Sequence, residues 1–184
     1  MKRIIRWGYI KKMSVGLGLL TLFILGTYRL YPREYKVLVV QYANQYQVDP
    51  LLIYAMMKVE SKYNPEAISR SGAKGLMQIM DKTGAWGAQE VKIQEYTHDS
   101  LFKPEANIQI GCWYVAKLIK QYEGNLNVAL AAYNAGSGNV HKWRNDPKYS
   151  LDGKTLYNIP FRETSSYVKK VRWHYKVYQF LYRY

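Results

Sequence analysis

Cysteine and acidic residues are both scarce in this chain of 184 residues. Its single cysteine, Cys112, excludes any disulfide within the chain. Asp and Glu together number 13 against 27 Lys and Arg, which gives a formal net charge of +14. A strongly basic protein favours a polyanionic neighbour, and nucleic acid, anionic lipid and acidic cell-wall polymers all meet that condition. The charge by itself does not choose among them.

The sequence also lacks convincing strand alternation, internal repeats and low-complexity tracts. Apolar residues make up 48% of the chain, which excludes a disordered protein. The length suits one domain with a real core. Helical periodicity runs through nearly all of residues 34–184, so we predict an all-α fold. Cys112 lies on an apolar helical stripe, where we expect a buried and inert thiol.

The N-terminus carries a long apolar run. Residues 1–12 are basic, and no charged residue occurs from Met13 to Tyr28. A spanning helix uses about 20 apolar residues, and the flanking Lys and Arg side chains can extend this slightly shorter run by snorkelling. Because basic flanks remain in the cytoplasm, we expect a cytoplasmic segment over 1–12, a transmembrane signal anchor over 13–31 and an extracytoplasmic domain over 32–184.

The apolar run ends without a cysteine and without an Ala-x-Ala cleavage pattern. The missing cysteine excludes a lipoprotein anchor, and the bulky Tyr28 disfavours cleavage after Gly26-Thr27. We therefore expect a single-pass protein of the cell membrane, with secretion after cleavage as the alternative. The linker at 31–33 is short, so the domain would be held close to the membrane.

Start and stop signals place the helices of residues 34–184. Asp49-Pro50 combines an N-cap with proline at the first helical position, and Gly136 suits the position after a helix end. We predict helices at 34–46, 50–60, from 104, 126–135, near 140–144 and from 163. The small residues of 68–80 indicate a turn into a short buried helix.

Glu60 is the most unusual side chain of the second predicted helix. It follows Ile53, Met56 and Met57 at helical spacing, so these side chains share one face. Apolar surroundings raise the pKa of a carboxyl group, and a general acid must still hold its proton near neutral pH. A solvated carboxylate at a helix end is the ordinary alternative. The apolar stripe favours a chemical role for Glu60.

Four segments in order extend this argument. They are Glu60-Ser61, Gly75-Leu76-Met77-Gln78, Ala132-Tyr133-Asn134-Ala135-Gly136 and Glu163-Thr164-Ser165-Ser166-Tyr167-Val168. Each is weak alone, but the ordered set is highly specific. Over residues 35–180 the chain resembles the family 1 lytic transglycosylases, which are of the soluble lytic transglycosylase type and have a single lysozyme-like, mainly helical catalytic domain.

The resemblance implies a reaction and a set of roles. Glu60 would be the sole catalytic acid/base of an enzyme that cleaves the β-1,4 bond between N-acetylmuramic acid and N-acetylglucosamine in peptidoglycan. The C6 hydroxyl of the muramic acid would be the nucleophile, so the product would be a 1,6-anhydromuramoyl end. The implied substrate-binding residues are Ser69, Gln78, Met80, Tyr133, Asn134 and Tyr167, and Tyr167 would reach the carboxyl from the last helix.

Other functions stay open at this point. Most glycosidases pair two carboxylates, so a lysozyme-like hydrolase would need a partner such as Glu66, Asp81 or Glu90. An inactive glycan-binding scaffold module is the non-enzymatic alternative, although the intact Glu60 argues against it. We assign Glu163 to the helix dipole rather than to catalysis. Gln78 can satisfy a buried backbone group instead of a sugar.

The expected partners follow from the resemblance and the charge. They are peptidoglycan glycan strands, the membrane through the anchor, and anionic wall polymers. Nucleic acid is not expected, because no binding motif is present. No cofactor and no metal are expected, since the three histidines lack metal-ligand spacing. We expect the chain to act as a monomer.

Overall fold

The computed structural model describes residues 16, 18, 21 and 25–182. The chain divides into two compact units, Met1–Glu34 and Tyr35–Tyr184. In the first unit, residues 25–30 are helical. Much of the predicted signal anchor at 13–31 lies outside the described residues. Within the described part of the chain, no helix has both the length and the apolar character needed to cross a membrane.

The second unit is mainly helical, as the sequence predicted. Its helices are α1 (Lys36–Gln45), α2 (Pro50–Glu60), α3 (Asp81–Glu90), α4 (Pro104–Gln121), α5 (Leu126–Ala135), α6 (Ser137–Arg144) and α7 (Arg162–Tyr182), with a 3-10 helix at His98–Phe102. The sequence did not predict α3 or the 3-10 helix. Strand pairing in the described residues is limited to two isolated bridges, which join Lys74 to Ile68 and to Ile79.

Local capping explains where several helices begin and end. The Asp49 carboxylate accepts a hydrogen bond of 2.8 Å from the amide of Leu51 and so caps α2. Asn125 caps α5 in the same way. Gly136 has a φ of 84° and follows the last residue of α5, as predicted. Helix α6 begins directly after this glycine, at Ser137, which is earlier than the sequence predicted.

Residues 68–80 do not contain the short buried helix that the sequence predicted. They form consecutive tight turns joined by the two bridges. Gly75 and Gln78 have φ values of 74° and 47°, in the left-handed region. Left-handed residues cannot continue a right-handed helix, so the prediction was wrong at this segment.

The side chain of Asn107 on α4 replaces the missing helical hydrogen bonds of this segment. It is fully buried. Its Oδ1 accepts a hydrogen bond of 2.8 Å from the amide of Met77, and its Nδ2 donates to the carbonyls of Lys74 and Leu101 at 3.0 and 2.7 Å. A buried amide that makes three hydrogen bonds satisfies backbone groups that would otherwise be costly to bury. Asn107 therefore fixes the turn against α4.

Buried apolar side chains of α2, α4, α5 and α7 form the core of the second unit. Helix α2 packs against α7, and α5 contacts α4, α6 and α7. The apolar face of α2 is fully buried at Ile53, Met56 and Met57, and each such side chain contributes about 1.5–3 kcal/mol to folding. Cys112 is buried and free, as predicted, and this burial raises the pKa of its thiol. Glu60 lies at the C-terminal end of this buried face, three residues after Met57.

Candidate active site

Glu60 is the last residue of α2 and lines a cavity of about 580 Å³. The residues around this cavity come from α2, the turns after it, α5 and the start of α7. They are Glu60, Ser69, Arg70, Ser71, Ala73, Gln78, Met80, Tyr133, Asn134 and Glu163. Six of the seven site residues that the sequence suggested line this cavity, and the seventh, Tyr167, interacts with the Glu60 carboxyl.

The Glu60 carboxyl is shielded from water, and this desolvation raises its pKa from 4.5 to about 7. The hydroxyl of Tyr167 acts in the opposite direction, because it hydrogen-bonds to the ionised carboxylate. The negative charge of Glu163 raises the pKa further. The direction of the shift confirms the prediction from the apolar stripe. Near neutral pH, a substantial share of Glu60 still holds its proton.

Tyr167 is buried beside Glu60 and is not among the residues that line the cavity. It is only 6% exposed, and burial raises the pKa of its phenol well above 10. The phenol therefore stays protonated and can only donate to the carboxylate. The Tyr167 hydroxyl has no partner at normal hydrogen-bond distance and angle among the described residues, so its interaction with the carboxylate is weaker than a well-formed hydrogen bond. Its position suits orienting Glu60 more than touching a sugar.

Tyr133 and Asn134 present their side chains from the end of α5. The Tyr133 hydroxyl donates a hydrogen bond of 2.8 Å to the carbonyl of Met77, which fixes the ring against the turn segment. The side-chain oxygen of Asn134 accepts a hydrogen bond of 2.7 Å from the hydroxyl of Thr164 on α7. Because the oxygen already accepts this hydrogen bond within the protein, the amide hydrogens of Asn134 are the groups that can bind a ligand.

Gln78 satisfies backbone groups and also faces the cavity. Its Nε2 donates to the carbonyls of Ala67 and Gly75 at 3.1 and 2.9 Å, so it does satisfy backbone groups. It also lines the cavity. With the nitrogen committed to the turn, the side-chain oxygen is the group that suits a sugar hydroxyl.

Ser69 and Met80 stand at the two ends of the turn segment. The Ser69 hydroxyl accepts hydrogen bonds from the amides of Ser71 and Ala73 at 3.2 and 2.9 Å. This shapes the turn while keeping the side chain on the cavity wall. Met80 lines the cavity with 45% of its surface exposed. An exposed thioether supplies an adaptable apolar contact.

Sequence reasoning missed two charged residues of the cavity. Glu163 lies in the first turn of α7, where the helix dipole favours it, but it also lines the cavity. Arg70 lines the same cavity from the turn segment. The place of Arg70 at the cavity could have been predicted only from its position next to Ser69. The approach of Glu163 to Glu60 could not, because it depends on how α7 packs.

The carboxylates that the sequence offered as partners for Glu60 lie elsewhere. Asp81 forms an ion pair of 2.9 Å with Lys74. Glu90 accepts a hydrogen bond of 3.2 Å from the indole of Trp86. Glu66 is exposed and does not line the cavity. The carboxylate that does share the cavity with Glu60 is Glu163. Among the described residues, no cluster of three or more His, Cys, Asp or Glu is arranged to hold a metal ion.

A profile of the transglycosylase SLT domain matches residues 38–156, which carry most of this cavity. The chain belongs to this family. The chain is 36% identical to the soluble lytic murein transglycosylase of Salmonella typhimurium over 143 residues, covering 77% of this chain and 22% of that protein. It is 37% identical to the membrane-bound lytic murein transglycosylase C of Edwardsiella ictaluri over 123 residues, covering 58% and 32%.

Solved structures agree with the fold of the SLT domain. A crystal structure of an inactive mutant of the lytic transglycosylase Slt from Pseudomonas aeruginosa superposes with a TM-score of 0.71 at 30% identity. The match covers 81% of this chain and 24% of that one. The matched part of the chain therefore spans between about a fifth and a third of the length of these proteins. The resemblance found in the sequence is confirmed at the level of family and fold.

Proposed function

We propose that the SLT domain is a peptidoglycan lytic transglycosylase with Glu60 as its sole acid/base. The observation that carries the proposal is a single shielded carboxyl, with a pKa of about 7, on the wall of a cavity large enough for sugars. Cleaving a glycosidic bond requires a proton on a poor leaving group, and a carboxyl with this pKa can supply it near neutral pH. The family supports the same reaction class.

The proposed reaction uses Glu60 twice. Its proton passes to the oxygen that links N-acetylmuramic acid to N-acetylglucosamine, and the bond from that oxygen to C1 of the muramic acid breaks. The C6 hydroxyl of the same muramic acid then bonds to C1 and returns its proton to Glu60. The N-acetylglucosamine leaves with a free hydroxyl, and the muramic acid becomes a 1,6-anhydro end. No water is consumed, and Glu60 ends protonated as it began.

The remaining cavity residues suit substrate binding in this proposal. The amide hydrogens of Asn134 and the side-chain oxygen of Gln78 are placed to hydrogen-bond acetamido and hydroxyl groups. The ring of Tyr133 and the thioether of Met80 offer apolar surface to a pyranose. Ser69 shapes the turn that carries Gln78 and Met80. Tyr167 acts as a positioning residue, because it orients Glu60.

Product analysis tests the reaction. We expect the purified chain, incubated with peptidoglycan sacculi, to release muropeptides that end in 1,6-anhydromuramic acid, as read by mass spectrometry. Wild type and Glu60→Gln are run in parallel to exclude contaminating activity. Absence of anhydro products from the wild type would refute the proposal.

Hydrolysis is a second candidate, favoured by one observation. Glu163 shares the cavity with Glu60, and a second carboxylate is what a hydrolase uses to position water. The same assay separates the two reactions, since hydrolysis leaves reducing ends that are one water heavier. An inactive glycan-binding module predicts neither product.

Two substitutions should move the pH profile in opposite directions. Because Glu60 must be protonated to act as an acid, the cleavage rate should fall as pH rises through about 7. Glu163→Gln removes a negative charge, lowers the pKa of Glu60 and should shift this falling limb to lower pH. Tyr167→Phe removes a group that stabilises the carboxylate, so the limb should shift to higher pH. Initial rates across a pH series check both signs, and shifts in the same direction would contradict the electrostatic account.

The cellular location is part of the proposal. We propose that the domain lies outside the cytoplasmic membrane and acts on glycan strands there, tethered by the predicted anchor at 13–31. One relative is a membrane-bound lytic transglycosylase, which supports membrane association. The net charge of +14 favours anionic wall polymers as neighbours.

A further inference from the structure

A row of aromatic side chains leads away from the Glu60 cavity. Tyr133, on the cavity wall, has its ring centroid 5.4 Å from that of Tyr114 on α4. Tyr114 lies 6.3 Å from Trp86 on α3. Trp86 in turn meets Trp113 edge to face, at 4.8 Å and 84°. Ring contacts are therefore continuous from the catalytic cavity to Trp86.

Two features of the chain bring Trp86 to this place. Helix α3 begins directly after Met80, which lines the cavity. Gly87 lets α3 approach α4 closely, because a Cβ there would stand 2.5 Å from Ile110 and 3.2 Å from Trp113. Trp86 is thus linked to the cavity both through the backbone of α3 and through the aromatic row.

Trp86 is held in place and yet exposed. The ammonium of Lys117 lies 4.7 Å from its ring centroid and 5.7 Å from that of Trp113, within range of a cation–π contact. The indole nitrogen donates a hydrogen bond of 3.2 Å to Glu90. Despite these contacts, 39% of the Trp86 surface is exposed. Single exposed aromatic side chains are common on protein surfaces, so the case for a ligand rests on the link between Trp86 and the cavity and not on its exposure alone.

The chemistry around Trp86 fits a sugar. An aromatic ring offers an apolar surface to the C–H face of a pyranose, and charged side chains beside it can hydrogen-bond the hydroxyl groups. Trp113 and Lys117 also line a second hollow, of about 560 Å³. The two side chains that hold Trp86 therefore border further concave surface.

We propose that Trp86, oriented by Trp113 and Lys117, forms an additional sugar-binding subsite for a glycan strand that occupies the Glu60 cavity. The identity of the ligand as an amino-sugar glycan rests on the proposed function. The subsite extends the cleft along the aromatic row, so the chain binds long strands more tightly than a single disaccharide. None of the residues that carry the reaction is needed for this contact.

Binding without turnover tests the subsite. The full chain carrying Glu60→Gln is titrated by calorimetry with a disaccharide and with longer strands, using chito-oligosaccharides and peptide-free peptidoglycan glycans as probes. Adding Trp86→Ala should weaken binding of long strands about tenfold, within the range of one aromatic contact. Disaccharide binding should stay unchanged. Trp86→Phe, which keeps a flat ring, should restore most of the affinity, and Trp86→Leu, which keeps only apolar bulk, should not.

Trp173→Ala is the matched control, because Trp173 is 63% exposed on α7 and lies outside the aromatic row. Equal long-strand affinity in the parent and Trp86→Ala would overturn the subsite. So would an equal loss for the disaccharide, or a full rescue by leucine. The binding test of the subsite is independent of the test of the proposed reaction. A wild type that binds long strands through Trp86 but releases no anhydro ends would refute the reaction and leave the subsite standing.

Discussion

Glu60→Gln is expected to lower the release of anhydromuramoyl ends about a thousandfold, because general acid–base catalysis by one side chain is worth about 10²–10⁴. Glutamine keeps the size of the side chain but can neither give up nor take back a proton in this step. The loss should appear in the turnover rate and not in binding of glycan strands. Rates are measured from sacculi near pH 6, where the Glu60 carboxyl is mostly protonated.

Glu66→Gln provides the matched control for this substitution. Glu66 is an exposed carboxylate close in sequence that does not line the cavity. Its replacement should leave the rate within about twofold of wild type, since exposed substitutions away from a site change little. If Glu60→Gln kept a tenth or more of the wild-type rate, Glu60 could not be the proton donor, and Glu163 would become the first group to test in its place.

Gly75→Ala is expected to destabilise the domain by about 4 kcal/mol or more. A Cβ at this position would lie 2.2 Å from the carbonyl oxygen of Leu101 and 2.3 Å from Nδ2 of Asn107. The first of these is backbone, and the second belongs to the buried side chain that holds the turn. The φ of 74° adds strain of about 1–2 kcal/mol for a residue with a Cβ. Losses of this size arise when a buried network is broken.

Gly72→Ala separates the clash from the strain. Gly72 has a φ of 85°, but a Cβ there would meet no described heavy atom within 4 Å. Its replacement should therefore cost only about 1–2 kcal/mol. Urea unfolding followed by circular dichroism gives both free energies. Similar losses for the two variants would mean that the close approach of Asn107 does not hold in solution.

Local signals in the sequence predicted much of the fold, because caps and stops act within a few residues. Asp49-Pro50 and Gly136 marked helix boundaries that the structure confirms. The apolar stripe before Glu60 predicted both burial of the α2 face and the raised pKa. Ser69, Gln78, Met80, Tyr133 and Asn134 line one cavity with Glu60, while their roles stay predictions.

Long-range packing decides the features that the sequence did not reveal. The local sequence of residues 68–80 suggests a helix. The turn forms instead because Asn107, which lies 30 residues after Met77, supplies its hydrogen bonds. The charge of Glu163 reaches Glu60 only because α7 packs on α2. The contact between Trp86 and Trp113 depends on the close approach of α3 to α4 at Gly87. None of these contacts leaves a periodic pattern in the chain.

The placement of Glu163 and Tyr167 on α7 has a consequence for biosynthesis. Helix α7 follows the other described helices of its unit, so it leaves the ribosome after them. Until it docks on α2, neither Glu163 nor Tyr167 lies beside the Glu60 carboxyl, so the pKa that these two side chains adjust is not yet set. The proton affinity of Glu60 is therefore completed late in the folding of this unit.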